Sequence, residues 1–320
     1  MFGIGIDLGG TNIKGALVDD EKGIVKKFSI PTEAEEGMEH TLDRISTAIE
    51  TACSFASEVK PVGVGIGTPG VISLDRTTVS NPPNLPGWST INLSYEIKKR
   101  TGFECRIEND ANLAALGSLN FGVGHDHDSF IMLTLGTGVG GGIIFKRELF
   151  RGTTGGAAEL GHVIIDYHGP ISNSPARGGI EAYIGQRFLS RYAADIIRQY
   201  PDNPLFEKFS SDWDRLEPIH LYDASNDGNE IAQEILKSAG EKLGYAIVNY
   251  IHILDIRKIV VGGGVSQAGD WILDPARKTA LSRLMQPFHD GFEILYEPLG
   301  NDAALLGAAS LSFELATKSI

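Results

Sequence analysis

The sequence predicts an α/β protein built from two domains of related topology that face a shared cleft. The chain has 320 residues, a length more typical of two domains than of one. A strand, a glycine–threonine turn and a returning strand occur at residues 2–18, and the same pattern recurs at residues 129–145. Stretches with apolar residues at helical spacing separate the predicted strands. Two copies of one hairpin in such a chain indicate one hairpin in each domain.

The first half of the chain is predicted to contain strands interrupted by helices. Apolar runs bounded by turn residues mark the strands, which are residues 2–8, 12–18, 23–30, 62–67 and 103–107. Apolar residues recur every three or four positions between residues 38 and 59, which predicts a helix of about five turns. Asn92 can cap a second helix that continues to about Arg100. Residues 80–88, rich in proline and asparagine, are predicted to form a loop.

The second half repeats this alternation with longer helices. Its predicted strands are residues 129–135, 139–145, 257–261 and 292–296. Its predicted helices are residues 180–196, 231–254, 270–286 and 302–315. The longest helix is expected to be capped near Asn226 or Asp227. Residues 201–225 have few periodic apolar positions and are predicted to form an irregular surface excursion.

The junction between a strand and a helix at residues 107–112 is the centre of the chemical argument. Asn109 and Asp110 fall where the strand ends and the next helix begins. An aspartate in this place can cap the helix. It can also hold a carboxylate at the edge of a cleft, where it takes a proton from a substrate hydroxyl group. The junction alone leaves both interpretations open.

Composition and charge limit the class of partner. The net charge is −13, which disfavours nucleic acid because phosphate neutralisation requires lysine and arginine. Backbone amides can still bind a small anion. The two cysteines predict free thiols rather than a disulfide framework. No basic leader follows Met1 and no apolar run reaches about 18 residues, so we expect a cytoplasmic protein without a signal peptide or membrane span.

Three glycine runs, each at the end of a predicted strand, indicate phosphate binding. In the first, Gly9 and Gly10 leave backbone amides open to phosphate oxygens, while Asp7 can hold Mg²⁺ through water and Lys14 can add positive charge. A plain hairpin with a glycine turn would use the same residues. The combination of three such runs with Asp7 favours the phosphate interpretation.

The second and third runs extend this interpretation to a nucleotide. Residues 136–141 match G-x-G-x-x-G, but a strand follows them instead of the helix that a dinucleotide site requires. Open amides at Gly136 and Gly138, with the Thr137 hydroxyl group, suit a phosphate better. The third run, Gly262, Gly263 and Gly264, follows a strand and offers a glycine surface against which a nucleotide can lie.

The order of the motifs resembles the ROK family of sugar kinases, within the actin-like and hexokinase-like ATPases, over the whole chain. The matching segments are residues 5–11 (GIDLGGT), 65–70 (GIGTPG), 83–88 (PNLPGW), 108–112 (ENDAN), 135–140 (LGTGVG), 158–162 (AELGH), 261–265 (VGGGV) and 299–303 (LGNDA). The resemblance implies two actin-like (ribonuclease H-like) α/β domains with mixed sheets flanking a central cleft. The smaller N-terminal domain would comprise residues 1–111 and 303–320, and the larger domain residues 112–302.

The resemblance also implies roles for individual residues. Asp110 would be the general base on the sugar hydroxyl group that attacks ATP. The implied sugar ligands are Gly70, Asn84, Asn109, Asp110, Glu159, His162 and Glu181. The implied ATP and phosphate ligands are Asp7, Gly9, Gly10, Thr11, Asn12, Lys14, Gly136, Thr137, Gly138, Gly262, Gly263, Gly264 and Val265, with Mg²⁺ at Asp7. Carboxylates and an amide suit a hexose because each sugar hydroxyl group both donates and accepts hydrogen bonds.

One segment departs from the zinc-binding members of the family. Where those members have cysteines, this chain has Ser172, Ser174 and Gly179, so we expect no structural zinc. His162 then requires another partner to hold its ring, such as a backbone carbonyl, a carboxylate or water.

The expected function is ATP-dependent phosphorylation of the 6-hydroxyl group of glucose or a related hexose, by a chain that forms a homo-oligomer, expected to be a dimer. Kinases of N-acetylmannosamine, N-acetylglucosamine or fructose share the motifs. Polyphosphate or ADP as the donor also remains open. A sugar-binding protein without activity is a further alternative. A ROK-type repressor is disfavoured, because the first strand begins at Phe2 and leaves no room for a DNA-binding domain.

Overall fold

The computed structural model describes residues 1–56, 59–173 and 175–317. Its strands are β1 (Phe2–Leu8), β2 (Asn12–Asp19), β3 (Gly23–Pro31), β4 (Val64–Gly67), β5 (Val71–Ile72), β6 (Val79–Ser80), β7 (Thr90–Ile91), β8 (Cys105–Glu108), β9 (Phe130–Leu135), β10 (Val139–Phe145), β11 (Glu148–Leu149), β12 (Lys258–Gly262) and β13 (Glu293–Tyr296). Its α-helices are α1 (Met38–Ser54), α2 (Leu93–Thr101), α3 (Asp110–Phe121), α4 (Glu181–Ile184), α5 (Gln186–Ile197), α6 (Pro204–Phe209), α7 (Pro218–Asn226), α8 (Glu230–Leu254), α9 (Asp270–Arg283) and α10 (Asp302–Thr317). The predicted α/β class is confirmed.

The chain divides into two compact units. The first contains Met1–Asp128, Gly142–Ala158 and the closing segment from Asn301, and the second contains Ser129–Gly141 and Glu159–Gly300. The closing helix α10 belongs to the first unit. This unit also keeps α3, which lies beyond the predicted domain boundary at residue 111, because α3 packs along α10.

The first unit is organised around a mixed sheet in the order β3-β2-β1-β4-β8. β1, β2 and β3 pair antiparallel, whereas β4 pairs parallel with both β1 and β8. Helix α10 lies against β1 and β4, and glycines allow the close approach. A Cβ atom at Gly65 would overlap the carbonyl oxygen of Ala308, and one at Gly307 would overlap that of Leu113 in α3. Backbone therefore packs on backbone at the centre of this unit.

A second mixed sheet has the order β11-β10-β9-β12-β13. β12 pairs parallel with β9 and with β13, while β10 and β11 pair antiparallel. In the second unit α8 packs along α9 and α7. Within the described residues, no helix combines the length and apolar character needed to cross a bilayer.

Several sequence predictions about helices are wrong in detail. The first helix ends at Ser54 instead of residue 59, and residues 57 and 58 lie outside the described part of the chain. The helix predicted for residues 180–196 is broken at Gly185, which has extended backbone angles between α4 and α5. The predicted irregular excursion at residues 201–225 instead contains α6 and most of α7. These helices are too short to show a clear apolar period.

The caps explain how these short helices begin. The Asn203 side chain accepts the Leu205 N–H at 2.9 Å, and proline occupies the first position of α6. The predicted cap of α8 near Asn226 or Asp227 is also wrong. Asn229 caps that helix by accepting the Ala232 N–H at 3.1 Å, because residues up to Asn226 already belong to α7.

Candidate active site

Asn109 and Asp110 occupy different positions at the junction between β8 and α3. Asn109 is the N-cap of α3, with extended backbone angles and a side chain that accepts the Ala111 N–H at 3.0 Å. Asp110 is the first residue of the helix and is exposed. Its Oδ1 also accepts the Ala111 N–H, at 2.8 Å. The cap is therefore Asn109, and the exposed Asp110 carboxylate is open to solvent beside it.

The first glycine hairpin lies at the end of β1 in the same unit. The Gly9 N–H donates to the Asn12 carbonyl at 3.0 Å, which closes the turn. The prediction of an open amide at Gly9 is therefore wrong. The Lys14 Nζ atom lies 3.5 Å from Asp7 Oδ2, and these residues are partners in the β1–β2 register. The turn therefore places a carboxylate and an ammonium group beside backbone that carries only small side chains.

The structure brings the predicted sugar ligand Asn84 against this hairpin. A Cβ atom at Gly10 would lie 2.9 Å from both Cβ and the carbonyl oxygen of Asn84. Asn84 itself has a left-handed backbone, with φ of 64°. Gly70 has φ of 107°, and a Cβ there would lie 2.9 Å from the Ser80 carbonyl oxygen. Glycine at residues 10 and 70 therefore permits an approach that a larger residue would block.

In the second unit, the glycine turn of residues 136–138 and the triple glycine run lie at the ends of adjacent strands. Gly262 in β12 is the register partner of Thr134 in β9. Gly263 has φ of 93°, and a Cβ there would lie 2.5 Å from the Leu135 carbonyl oxygen. Because β9 and β12 run parallel, the glycine segments that follow them lie at the same end of the sheet. Nucleotides bind at the carboxyl ends of strands in open α/β sheets.

Glu181 lies beside the glycine turn of residues 136–138. It is only 6% exposed, and its Oε2 accepts the Val139 N–H at 3.1 Å. Its Oε1 accepts the backbone N–H and the side-chain amide of Asn173, at 3.3 and 3.2 Å. A Cβ atom at Gly138 would overlap the Glu181 carboxylate. The carboxylate thus links the turn to the segment that contains Asn173.

His162 and Glu159 lie on one short turn. The His162 Nε2 atom is 3.8 Å from Glu159 Oε2, so their contact is electrostatic at most. Among the described residues, no hydrogen-bond partner reaches the buried Nδ1 atom of His162. The carbonyl or carboxylate expected to hold the ring is not found there.

Backbone pairing holds the segment that lacks cysteines. The Ile165 N–H donates to Gly178 at 2.9 Å, and the Ile180 N–H donates to Val163 at 3.1 Å. Gly178 has φ of 71° and leaves no room for a Cβ beside Asp166. Gly179 pairs with Ile164, whereas Ser174 lies outside the described residues.

A groove of about 600 Å³ opens beside Thr137 in the second unit. This volume falls within the range of about 300–1,000 Å³ typical of small-molecule sites. Its walls include Thr137, Gln186, Arg187, Arg191, Arg198 and Trp213. The Arg198 guanidinium lies 5.0 Å from the centre of the Trp213 ring.

Apart from Thr137, sequence analysis missed the residues of this groove. Arg187 and Arg191 are one helical turn apart, which is a signal for a shared face of α5. Trp213 falls in the segment that was predicted to be irregular, so its position across from α5 had no local signature.

Comparisons with known proteins show which proteins this chain is similar to. A protein-family model described as the ROK family matches residues 3–314. The glucokinase of Thermotoga maritima is 36% identical over 308 residues, covering 96% of each chain. The glucokinase of Streptomyces coelicolor is 35% identical over 317 residues, covering 97% of each chain. A crystal structure of a ROK family glucokinase from Streptomyces griseus, in complex with glucose and AMPPNP, is 34% identical with a TM-score of 0.83, covering 98% of this chain and 100% of that chain.

Proposed function

The chain belongs to the ROK family, and we propose that it is an ATP-dependent hexose kinase that phosphorylates the 6-hydroxyl group of glucose or a closely related hexose. The similar proteins from Thermotoga maritima and Streptomyces coelicolor are glucokinases. The similar structure from Streptomyces griseus contains glucose and an ATP analogue. These relatives make glucose the first candidate among hexoses, ahead of N-acetylmannosamine, N-acetylglucosamine and fructose.

The observation that carries the proposal is the exposed carboxylate of Asp110 beside a helix that is capped by another residue. Because Asn109 supplies the cap, Asp110 is not needed for that purpose. Its carboxylate takes the proton of the sugar 6-hydroxyl group as the oxygen attacks the γ-phosphorus of ATP. The bond from that phosphorus to the bridging oxygen breaks, and ADP leaves with the bonding electrons.

The sugar ligands are proposed on both units. In the first, they are Gly70, Asn84 and Asn109; Asn84 lies against Gly10 of the glycine hairpin, and Asn109 caps α3. In the second, Glu159, His162 and Glu181 supply two carboxylates and an imidazole. Carboxylate and imidazole groups bind sugar hydroxyl groups through charge-assisted or neutral hydrogen bonds, which orient the ring for transfer.

The phosphoryl donor is proposed to be ATP rather than polyphosphate. The groove beside Thr137 supports this choice, because its wall includes the aromatic ring of Trp213, and a polyphosphate chain has no ring to stack on it. A purine can stack on an aromatic ring or on a guanidinium plane. The glycine amides at Gly138 and Gly263 are then proposed to face the phosphates. The Gly136 N–H, predicted to be open, instead donates to the Gly138 carbonyl oxygen at 3.0 Å and closes the turn.

The fold family implies Mg²⁺ with the ATP phosphates, and Asp7 is a suitable ligand. Its side chain is 22% exposed and carries one carboxylate next to the first glycine turn. Mg²⁺ keeps several waters and often binds proteins through one or two carboxylates plus substrate phosphates. When bound, the ion neutralises charge on the phosphoryl oxygens. Lys14, beside Asp7, adds a second positive charge for the same phosphates.

Structural zinc is not proposed for this chain. Among the described residues, no group of three or more histidine, cysteine, aspartate or glutamate side chains is placed to hold a metal ion. Hydroxyl groups and glycine replace thiolates in the segment after His162, and a hydroxyl group is a poor zinc ligand. Backbone pairing and the contact between Asn173 and Glu181 connect this segment to its surroundings.

The proposal is tested by measuring ADP production with ATP and a panel of sugars: glucose, mannose, fructose, allose, N-acetylglucosamine and N-acetylmannosamine. We expect the highest kcat/KM with glucose. The same panel with polyphosphate replacing ATP tests the donor. Binding of ATP without turnover on any sugar would contradict the kinase proposal and support a sugar-binding protein. We further propose that the protein is cytoplasmic and forms a homodimer. Light scattering after size exclusion tests the dimer by its molar mass.

A further inference from the structure

Glu108, the last residue of β8, carries a fully buried carboxylate two residues before Asp110. Its side chain is 0% exposed. Its Oε1 accepts the backbone N–H of Asn109 at 3.0 Å and the side-chain amide of Asn112 at 3.1 Å. These two donors lie on either side of Asp110 in the sequence. The Glu108 carboxylate therefore connects the last residue before the helix with the first turn of the helix itself.

Two arginines balance the buried charge. Arg151 Nε lies 2.7 Å from Glu108 Oε2, and Arg76 Nε lies 3.3 Å from the same oxygen. The contact with Arg151 is a close ion pair whose angles lie outside those of a hydrogen bond. An unpaired carboxylate would be costly at 0% exposure, so these guanidinium groups allow Glu108 to remain charged in the interior.

Arg151 extends the connection to the segment that follows Gly70. Its guanidinium donates to the carbonyl oxygens of Leu74 at 2.7 Å, Ser73 at 3.0 Å and Ile72 at 3.3 Å. The Arg151 side chain is only 9% exposed. The buried contact between Glu108 and Arg151 therefore connects the junction to this segment.

We propose that Glu108 is a positioning residue that holds the backbone at Asn109 and the first turn of α3, so that the Asp110 carboxylate points at the sugar hydroxyl group. This inference rests on the proposed kinase function and adds to it a residue that does not touch substrate. The geometry assigns one oxygen of the carboxylate to the junction and the other to the arginines.

The substitution Glu108→Gln separates these two tasks while keeping the shape of the side chain. A carboxylate has two acceptor oxygens, whereas an amide has one acceptor oxygen and one donor group. If the amide oxygen faces Arg151, the N–H groups at Asn109 and Asn112 lose their acceptor. If it faces the junction, the donor group meets two guanidinium groups. Either orientation loosens the junction.

The matched control removes a carboxylate from the other end of the same charged cluster. Glu314 in α10 pairs with Arg76 at 2.9 Å and with Arg106 at 2.8 Å. Its side chain is 37% exposed. Glu314→Gln therefore perturbs the cluster without removing an acceptor from Asn109. A role in stability alone predicts that both variants lower the rate in proportion to their loss of stability.

The experiment measures kcat, the glucose KM and the melting temperature for both variants, each with Asp110 and with Asp110→Asn. We expect Glu108→Gln to lower kcat about 10- to 100-fold when Asp110 is present. We expect less than about a twofold effect in the Asp110→Asn background, because misplacing an absent base costs nothing further. Glu314→Gln should change kcat less than about twofold in either background.

Three outcomes would overturn the inference. The first is a near-normal kcat for Glu108→Gln in a folded protein. The second is an equal loss of rate in both Asp110 backgrounds, and the third is an equal loss in Glu314→Gln. An unmodified protein that phosphorylates no hexose would instead refute the proposed function, so the two failures are distinguishable. If Glu108→Gln does not fold, Glu108→Asp gives the same comparison with the charge retained and the reach shortened.

Discussion

Replacing Asp110 with asparagine should abolish most turnover while leaving the fold intact. The change removes a negative charge and the ability to accept a proton, but it keeps the size and shape of the side chain. Asp110 is exposed, and Asn109 caps the helix. An asparagine at residue 110 keeps an Oδ1 atom that can accept the Ala111 N–H. The effects on stability and on rate can therefore be estimated separately.

The expected loss of stability is small. Removing a negative charge from the first turn of a helix costs about 0.3–1 kcal/mol at an exposed site. For a protein of this size that corresponds to a fall in melting temperature of about 4 °C or less. Loss of a general base costs about 10²–10⁴ in rate, which is an increase of roughly 3–5 kcal/mol in the activation free energy. The predicted effect on rate therefore exceeds the effect on stability several-fold.

The assay combines steady-state kinetics with glucose binding by calorimetry and melting by circular dichroism. Asp270→Asn is the matched control, since Asp270 is also an exposed aspartate at the first position of a helix, α9. We expect the control to keep its kcat within about twofold and to lose a similar amount of stability. A kcat for Asp110→Asn within about tenfold of the unmodified protein, or an equal loss in the control, would refute the assignment of the base.

Three further outcomes test the fold and the nucleotide groove. Gly307→Ala should lower the free energy of unfolding by about 1–3 kcal/mol or more, because the added Cβ overlaps backbone. Gly156→Ala is the control, since nothing lies within 4 Å of a Cβ there, and equal melting temperatures for the two variants would contradict this prediction. Burial raises the pKa of the Cys105 thiol from 9.0 to about 12. The neutral thiol should therefore resist iodoacetamide at pH 8 unless the protein is unfolded. The free energy of unfolding should also fall as the pH rises from 9.0 toward 12, because the thiol then ionises in the unfolded chain but not in the folded one. Arg191→Ala should raise the ATP KM about tenfold without a similar change for glucose, whereas Arg277→Ala, outside the groove, should not.

The local motifs were predictable because their structural signals are short-range. Strand β1 was predicted at residues 2–8 and is found at Phe2–Leu8. The hairpin after it follows from two glycines between apolar alternations, and the long helix α8 follows from its apolar period. The motif order indicated the ROK family, which the family match confirms. Turn chemistry and periodicity act within a few residues, so a single sequence displays them.

Contacts between distant parts of the chain could not be read in the same way. Glu108 was part of a recognised motif, but nothing local indicates that Arg151 would lie 2.7 Å away. Arg106 and Glu314 are separated by 208 positions and still form an ion pair. The groove likewise depends on α5 facing Trp213, which belongs to a segment without apolar periodicity.

The amino-acid order was therefore sufficient for the class of fold and the family, and it supplied the proposal of which residues carry chemistry. Folding determined which atoms hold those residues in place. Asn109 rather than Asp110 became the cap, and Glu108 became the link between the junction and Arg151. The physical reason is that local propensity specifies single elements, whereas burial and charge pairing depend on how the whole sheet and its helices pack.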